Sequence, residues 1–320
     1  MKVSFIIPHK GRLEMLKETI VSILNLDYEQ NQIEVIIVSQ NKTLAVEELV
    51  GSIQTNQVKV ILADDKGTIA KSRNIGAEKA NGDFLAFLDA DINLSANWLI
   101  VMLDEIQKDD KRKIIASAQI NSSQPSIVER IRTLMNNAAE DSNVDSLAGA
   151  NLFIHNNDFL MAEGFPEELT TCEDIFFTSK VAKDGVLYCT SKTSHVHLGE
   201  DKNWSQLFHK EIWRGQSNIK SLFGRSIPLR EYPSLLVPIW IFFFIVVASI
   251  SLALGDFVIV LYCFLVIALP ILLYSLRLTR MAKRRIKFID IITFYLIYFA
   301  ARTIGTVVGF TKSFNIRNSA

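Results

Sequence analysis

The chain is poor in cysteine and carries no net charge. Its 320 residues hold three cysteines, at 172, 189 and 263, with no CxxC pair among them. An unpaired, scattered set of this kind argues against a disulfide scaffold or a zinc knuckle. Lys+Arg 34 are matched by Asp+Glu 34, which excludes a generally basic nucleic-acid binder. No GxGxxG follows the first apolar run and no GxxxxGK[ST] occurs, so the usual dinucleotide fingerprint and the P-loop are both missing. There is also no internal repeat and no low-complexity tract. What is present in quantity is apolar: 49% of the residues are hydrophobic and 21% charged, which excludes a disordered chain.

The zero charge is a sum over two unlike parts. Residues 1–232 hold 25 basic and 32 acidic groups, whereas residues 233–320 hold 9 and 2. The second part contains two charge-free runs, Ser234–Leu254 and Phe257–Leu276, separated only by Gly255 and Asp256. At 1.5 Å per residue each reaches about 30 Å, the thickness of the hydrocarbon core. They read as a membrane-spanning helical hairpin. A third apolar run, Phe288–Phe310, contains Asp290 and Arg302. It either spans with those groups turned to the bundle or lies partly in the interface. The loop Arg277–Lys287 has six basic residues in eleven positions and no acid. By the positive-inside rule it faces the cytoplasm, and the hairpin then puts residues 1–232 there too. Only Met1 and Lys2 precede the first apolar run, so no cleavable leader is expected and the chain reads as a multi-pass protein of the cell (inner) membrane.

The first hundred residues alternate strand and helix. Val3–Ile7, Glu34–Val38, Val58–Leu62 and Phe84–Leu88 read as strands; Arg12–Leu24, Leu44–Ile53 and Ile69–Ala80 read as helices between them. Repeated βα units with continuous apolar strands predict a parallel, doubly wound sheet. Further on, Ile114–Ile120 and Val186–Tyr188 read as strands, and Ser126–Asn137 and Glu173–Asp184 as helices. Trp204–Phe223 has Trp204, Leu207, Phe208 and Ile212 at helical offsets, which fits either an amphipathic helix on the cytoplasmic leaflet or an ordinary core-facing one. The expected division is residues 1–110, 111–232 with the juxtamembrane helix, and 233–320 as anchor.

In an open parallel sheet ligands bind at the carboxyl ends of the strands. Pro8-His9-Lys10-Gly11-Arg12 falls at one such end and Asp89-Ala90-Asp91 at another. Two carboxylates one residue apart suit a hard divalent cation, with water and phosphate oxygens completing its shell. Glu173-Asp174, read alone, is an acidic pair complementing a helix N-terminus.

Taken in order, FIIPHKGR, KSRNIGAEKANGDFLAFLDAD and TTCEDIFF resemble the inverting family 2 glycosyltransferases of the GT-A fold, most clearly over residues 1–95 and more loosely through 149–177. The resemblance implies a doubly wound mixed sheet and transfer of a sugar from a nucleotide donor to an acceptor hydroxyl. Mg²⁺ or Mn²⁺ would sit on the donor diphosphate. It implies Asp89 and Asp91 as the DxD, with Asp91 the more direct metal ligand, and Asp174 of Glu173-Asp174 as catalytic base. It places Pro8, Arg12, Arg73 and Asn74 at the donor, and His195, in preference to His197, near the metal. Arg214 matches a basic group beside the departing diphosphate, or else contacts lipid headgroups. One departure stands out: where the family reads Asp-Asp-x-Ser after the second strand, this chain has Ser39-Gln40-Asn41-Lys42-Thr43, so Gln40 would have to serve the nucleotide base. The acceptor expected of an enzyme tied to a bilayer is lipid-linked or another glycan. Three helices are too few for a polymer-conducting pore. The alternative function is a non-catalytic nucleotide-sugar-binding scaffold in a membrane complex.

Overall fold

The computed structural model describes residues 1–50, 57–216, 232–283 and 285–317. In chain order the elements are β1 (Val3–His9), α1 (Leu13–Leu24), β2 (Ile33–Ser39), α2 (Val46–Val50), β3 (Val58–Leu62), α3 (Ile69–Glu78) and β4 (Phe84–Leu88). They continue with β5 (Ile92–Leu94), α4 (Trp98–Gln107), β6 (Arg112–Ile120), α5 (Ile127–Asn136), β7 (Ser142–Val144), β8 (Asn151–His155) and α6 (Asn156–Met161). Then come α7 (Glu173–Val181), β9 (Val186–His197), α8 (Trp204–Gly215), α9 (Tyr232–Ala253), α10 (Phe257–Met281) and α11 (Phe288–Arg317). The C-terminal parts of the helix expected to reach Ile53 and of the one expected to reach Phe223 lie outside the described residues.

The chain forms two units. The first is Met1–Ser123 with Ala139–Glu200; the second is Gln124–Ala138 with Asp201–Ala320. The expected boundary at residue 110 falls inside the first unit, because β6, β8 and β9 extend the sheet that β1 to β4 begin. The boundary expected at 232 lies instead at Asp201, because α8 packs with the apolar helices.

The sheet of the first unit runs β3-β2-β1-β4-β8-β6-β9-β5, with β7 on β9. It is mixed: β3, β2, β1 and β4 are parallel, β8 lies antiparallel to β4, and β6 and β9 run parallel to each other. The strand period of two explains why continuous apolar strands were needed. On β1, Phe5 and Ile7 enter one core with Ile20, Trp98 and Phe153, whereas Ile6 enters the other with Phe87, Phe159 and Phe177. A helix must come close to cover such a sheet. At Gly76 of α3 a Cβ would lie 2.4 Å from the Ile6 side chain, so only glycine permits that approach.

One polar network is buried in this apolar half. Glu34 of β2 accepts from Ser4 Oγ at 2.7 Å, Lys59 Nζ at 2.6 Å and the Asn81 N–H at 3.0 Å. Burial works against its charge, yet these donors together hold it down at about 2.

In the second unit α9, α10 and α11 are each long and apolar enough to cross a membrane. A core of Val128, Ile131, Leu207, Leu278, Ile291, Phe294 and Phe299 joins them to α5 and α8.

Candidate active site

The carboxyl ends of β1 and β4 lie side by side, since the two strands are hydrogen-bonded in parallel register. This places Arg12, just after β1, beside Asp91, just after β4. Arg12 Nη1 donates to Asp91 Oδ2 at 2.7 Å. Gly11 and Arg12 both adopt left-handed backbone, at φ 66 and 52, and Arg12 caps α1 in that conformation. A non-glycine residue there costs roughly 1–2 kcal/mol. The other oxygen of Asp91 faces His197 Nε2 at 3.3 Å, and His197 Nδ1 is 3.5 Å from Glu200. Burial favours a neutral ring, but the two carboxylates outweigh it and hold His197 up at about 9. Gly199 presses on the same group: a Cβ there would stand 2.0 Å from Asp91 Oδ2.

Of the two histidines, therefore, the one beside the DxD is His197, where the sequence reading favoured His195. β9 continues well past Tyr188, to His197. His195 is turned into the interior, with Nδ1 3.0 Å from both Ser117 Oγ and Asn151 Nδ2. Burial lowers it to about 3, so the neutral ring accepts from the Asn151 amide. Both residues lie on β9, and only the contacts that β9 makes separate them.

The second half of the site is built around Arg73 of α3, which is 2% exposed. Its Nη1 donates to Glu173 Oε1 at 2.8 Å, and its Nη2 to Asp89 Oδ1 at 2.9 Å and to the Gly149 carbonyl at 3.2 Å. The guanidinium also lies over the Phe165 ring, 5.1 Å from its centroid. One buried cation thus joins the acid after β4 to the acid that opens α7. Burial and the adjacent Asp174 push Glu173 up to about 7, against the pull of Arg73. Asp89 keeps 29% of its side chain exposed. It is raised by its recessed position and by Asp91 and Asp174, again against Arg73. Asp174 sits in the first turn of α7, its Oδ2 accepting from the Gly149 N–H and its Oδ1 from the Ile175 N–H, both at 2.7 Å. Cys172, which precedes the pair, is in the left-handed region at φ 65. Gly149 touches both partners at once, since a Cβ there would stand 2.6 Å from Arg73 Nη2. Neither Gly149 nor Gly199 stood out in the sequence, although GAN and HLGE surround them.

The remaining expected residues lie as follows. Pro8 is buried within β1, paired with Val38 of β2. Gln40 donates through Nε2 to the Gly67 carbonyl at 2.7 Å and lies 3.3 Å from Ser72 Oγ. Asn74 holds the loop before α7, donating to the Phe165 carbonyl and accepting the Phe165 N–H, both at 2.9 Å. Arg214 belongs to the second unit, where it pairs with Glu211 and Asp201.

The donor set suits a divalent cation of the Mg²⁺ or Mn²⁺ type in a specific way. Burial raises Asp89, and the charges of Asp91 and Asp174 add to it, a repulsion that a cation would relieve. Carboxylate oxygens are the hard donors such ions take. Among the described residues no group of three or more His, Cys, Asp or Glu is gathered to hold a metal. A cation held by two carboxylates would take its other ligands from phosphate oxygens and water.

Fold and site together define a GT-A-type domain: a mixed α/β sheet carrying an Asp-x-Asp at the end of a central strand. This unit is accompanied by apolar C-terminal helices able to anchor in a membrane. The architecture is similar to that of the mannosyltransferase PcManGT from Pyrobaculum calidifontis, solved in complex with GDP-Man and Mn²⁺. The TM-score is 0.63 at 15% identity, covering 96% of this chain and 87% of that one. It is also similar to S. aureus TarS, with a TM-score of 0.51 at 16% identity, over 74% of this chain and 42% of that one. Residues 4–158 match Glycosyl transferase family 2, and the chain carries a domain of that family. A relative described as an uncharacterized glycosyltransferase, from Rickettsia bellii (strain RML369-C), is 30% identical over 109 residues. The match covers 34% of this chain and 16% of that relative's length.

Proposed function

We propose that the protein is a membrane-bound, inverting glycosyltransferase that moves a sugar from a nucleotide-sugar donor to a hydroxyl of a lipid-linked or other glycan acceptor. The observation that carries this reading is the Arg73 bridge, which holds the acids after β4 and at the start of α7 against one buried guanidinium. Inversion needs a base that takes the acceptor proton on the face opposite the departing diphosphate. Asp174 is that base: two backbone N–H groups fix its orientation while each oxygen keeps a second lone pair for the hydroxyl. Glu173 acts through Arg73, as a positioning residue. Asp89 and Asp91 would hold Mg²⁺ or Mn²⁺, whose Lewis acidity lowers the charge on a diphosphate leaving group. The Mn²⁺ and GDP-Man of the mannosyltransferase neighbour support this assignment of cation and donor class. Arg12 and Gln40, which follow the adjacent strands β1 and β2, line the donor side of the strand ends.

The membrane reading rests on α9 and α10 and on the basic loop between α10 and α11. It places the catalytic unit at the cytoplasmic face of the cell membrane, where an amphipathic acceptor is confined to the same surface. A second reading, a nucleotide-sugar-binding scaffold without turnover, is favoured by Gln40, whose amide N–H groups are already engaged by Gly67 and Ser72.

The test is turnover of a panel of nucleotide sugars in nanodiscs, with and without Mn²⁺, for the wild type and Asp174→Asn. Metal-dependent transfer that the substitution lowers by at least about 10²-fold is expected. Equal activity of the two proteins removes Asp174 as base, and no turnover with any donor favours the scaffold.

A further inference from the structure

Among the described residues three helices are apolar enough to cross a membrane, yet the third is unlike the other two. Of its most apolar window 44% is buried within the protein, against 17% for α9 and 6% for α10. Part of what buries it is the apolar core that Ile291, Phe294 and Phe299 share with α5, α8 and α10, and part is charged. Arg302 of α11 pairs through Nε with Glu211 of α8, a side chain with no exposure. Glu211 also meets Arg132 of α5 at 3.3 Å and Arg214. Asp201, equally buried, lies 3.7 Å from both Arg132 and Arg214 and 2.9 Å from Lys210. Five charged side chains therefore gather about Arg302 of α11.

Helix α8 runs alongside α11 in the same direction. Gly305 stands against Ile212 and Gly215, and Gly309 against Gln216, so closely that a Cβ on Gly305 would lie 2.3 Å from the Ile212 carbonyl oxygen. Neither α5 nor α8 can enter hydrocarbon: they are ten and twelve residues long and carry Glu129, Arg130, Arg132, Lys210, Glu211 and Arg214. The start of α11 is tied to the same level, since Arg130 Nη2 donates to the Arg285 carbonyl at 2.9 Å. Arg285 and Arg302 are thus both held by one short helix, α5, directly and through Glu211. A span along the membrane normal would carry Arg302 about 20 Å beyond the loop, deep in the hydrocarbon, with the whole charge cluster around it.

We infer that α11 does not cross the membrane but lies along its surface, held there by α5 and α8. The described residues then span twice, through α9 and α10, and the end of α11 is on the same side as the basic loop. The occupant of the exposed face of α11 is the lipid bilayer: Ile289, Leu296, Ile304 and Phe310 point outward at helical intervals, and Trp213 of α8 is exposed as well. The opposite side is packed against the protein, through Ile291, Phe294 and Phe299 and through the charge pair of Arg302. The inference rests on reading the α9–α10 hairpin as spanning.

Two measurements on the full chain test it. In one, green fluorescent protein or alkaline phosphatase is fused after Ala320 and expressed in Escherichia coli. A fluorescent first fusion and an inactive second are expected; an active phosphatase fusion overturns the inference. In the other, Cys172, Cys189 and Cys263 are replaced by serine. Single spin labels are then placed at Leu265, Leu296 or Ile304 in nanodiscs of phosphatidylcholine and phosphatidylglycerol. Oxygen and a water-soluble nickel chelate report depth. Leu265 is expected deep, and Leu296 and Ile304 within about 5–10 Å of the headgroup boundary. An Ile304 label as deep as Leu265 overturns the surface position of α11. A shallow Leu265 label overturns the hairpin and the inference with it, while leaving the catalytic reading untouched.

Discussion

Replacing Arg73 by methionine removes the one cation that Glu173 and Asp89 share and leaves both carboxyls recessed beside Asp174. Methionine keeps much of the side-chain volume, so the change is chiefly electrostatic. Removing one partner of a buried ion pair typically costs about 3–5 kcal/mol. For a unit of this size, that lowers Tm by roughly 6–20 °C. The cost must grow with pH. Glu173 already stands at about 7 with Arg73 in place, and it rises further without the guanidinium. A folded-state pKa above the unfolded one gives stability that is complete below the unfolded value and is lost as pH rises through the folded one. The gap in Tm between wild type and Arg73→Met is therefore expected to be smaller at pH 5.5 than at pH 8.5. Adding Glu173→Gln removes one uncompensated carboxyl and should restore about 1.5–2.5 kcal/mol, a coupling within the range measured for contacting groups. Thermal unfolding of the four proteins of this cycle, followed by near-ultraviolet dichroism in detergent, provides the numbers. An Arg73→Met protein within 0.5 kcal/mol of wild type at both pH values would refute the bridge, as would a double mutant no more stable than the single.

Other outcomes follow from individual contacts. Gly149→Ala puts a Cβ 2.6 Å from Arg73 Nη2, so it should displace the guanidinium and reduce any transfer activity by at least about tenfold, measured as initial rates at saturating donor. Gly199→Ala drives into Asp91 and should weaken Mn²⁺-dependent donor binding in calorimetry more than it lowers Tm; unchanged binding would show that Asp91 is dispensable. Glu34 is held at about 2 in the fold, below its ordinary 4.5, so its contribution is present above about pH 4.5 and lost as pH falls toward 2. Glu34→Gln should accordingly lower Tm at pH 7 and flatten the fall of Tm between pH 5 and pH 3. A parallel displacement of the whole curve would count against that origin.

Much of the molecule is legible from local pattern. The strands β1 to β4 and the helices α1 and α3 follow from apolar runs and helical spacing, because those periods describe how each element buries its own face. The acidic motifs are likewise visible, since Asp89, Asp91, Glu173 and Asp174 occur in short stretches whose chemistry depends on residue type. Three features escaped such a reading. The helix α8 belongs with the apolar helices because Leu207 enters their core and Glu211 meets Arg302, and that partner lies ninety-one residues away. Gly149 and Gly199 matter for what approaches them, which a single glycine does not announce. For Arg73 and Asn74, which the resemblance puts at the donor, it was the partners within the protein that were not legible. The structure directs Arg73 to Asp89, Glu173 and Gly149, and Asn74 to the loop before α7.

Composition and short-range pattern by themselves determined that this protein joins an acidic α/β domain to apolar helices long enough to cross a membrane and a basic loop, because burial, length and charge are properties of consecutive residues. Only the tertiary structure decided which histidine stands beside Asp91, that one buried arginine ties the two acidic motifs together, and that α11 is packed around a cluster of charges. Each of these depends on side chains brought together from distant parts of the chain. Their energies come from proximity and desolvation, which exist only after the sheet and the helices have assembled.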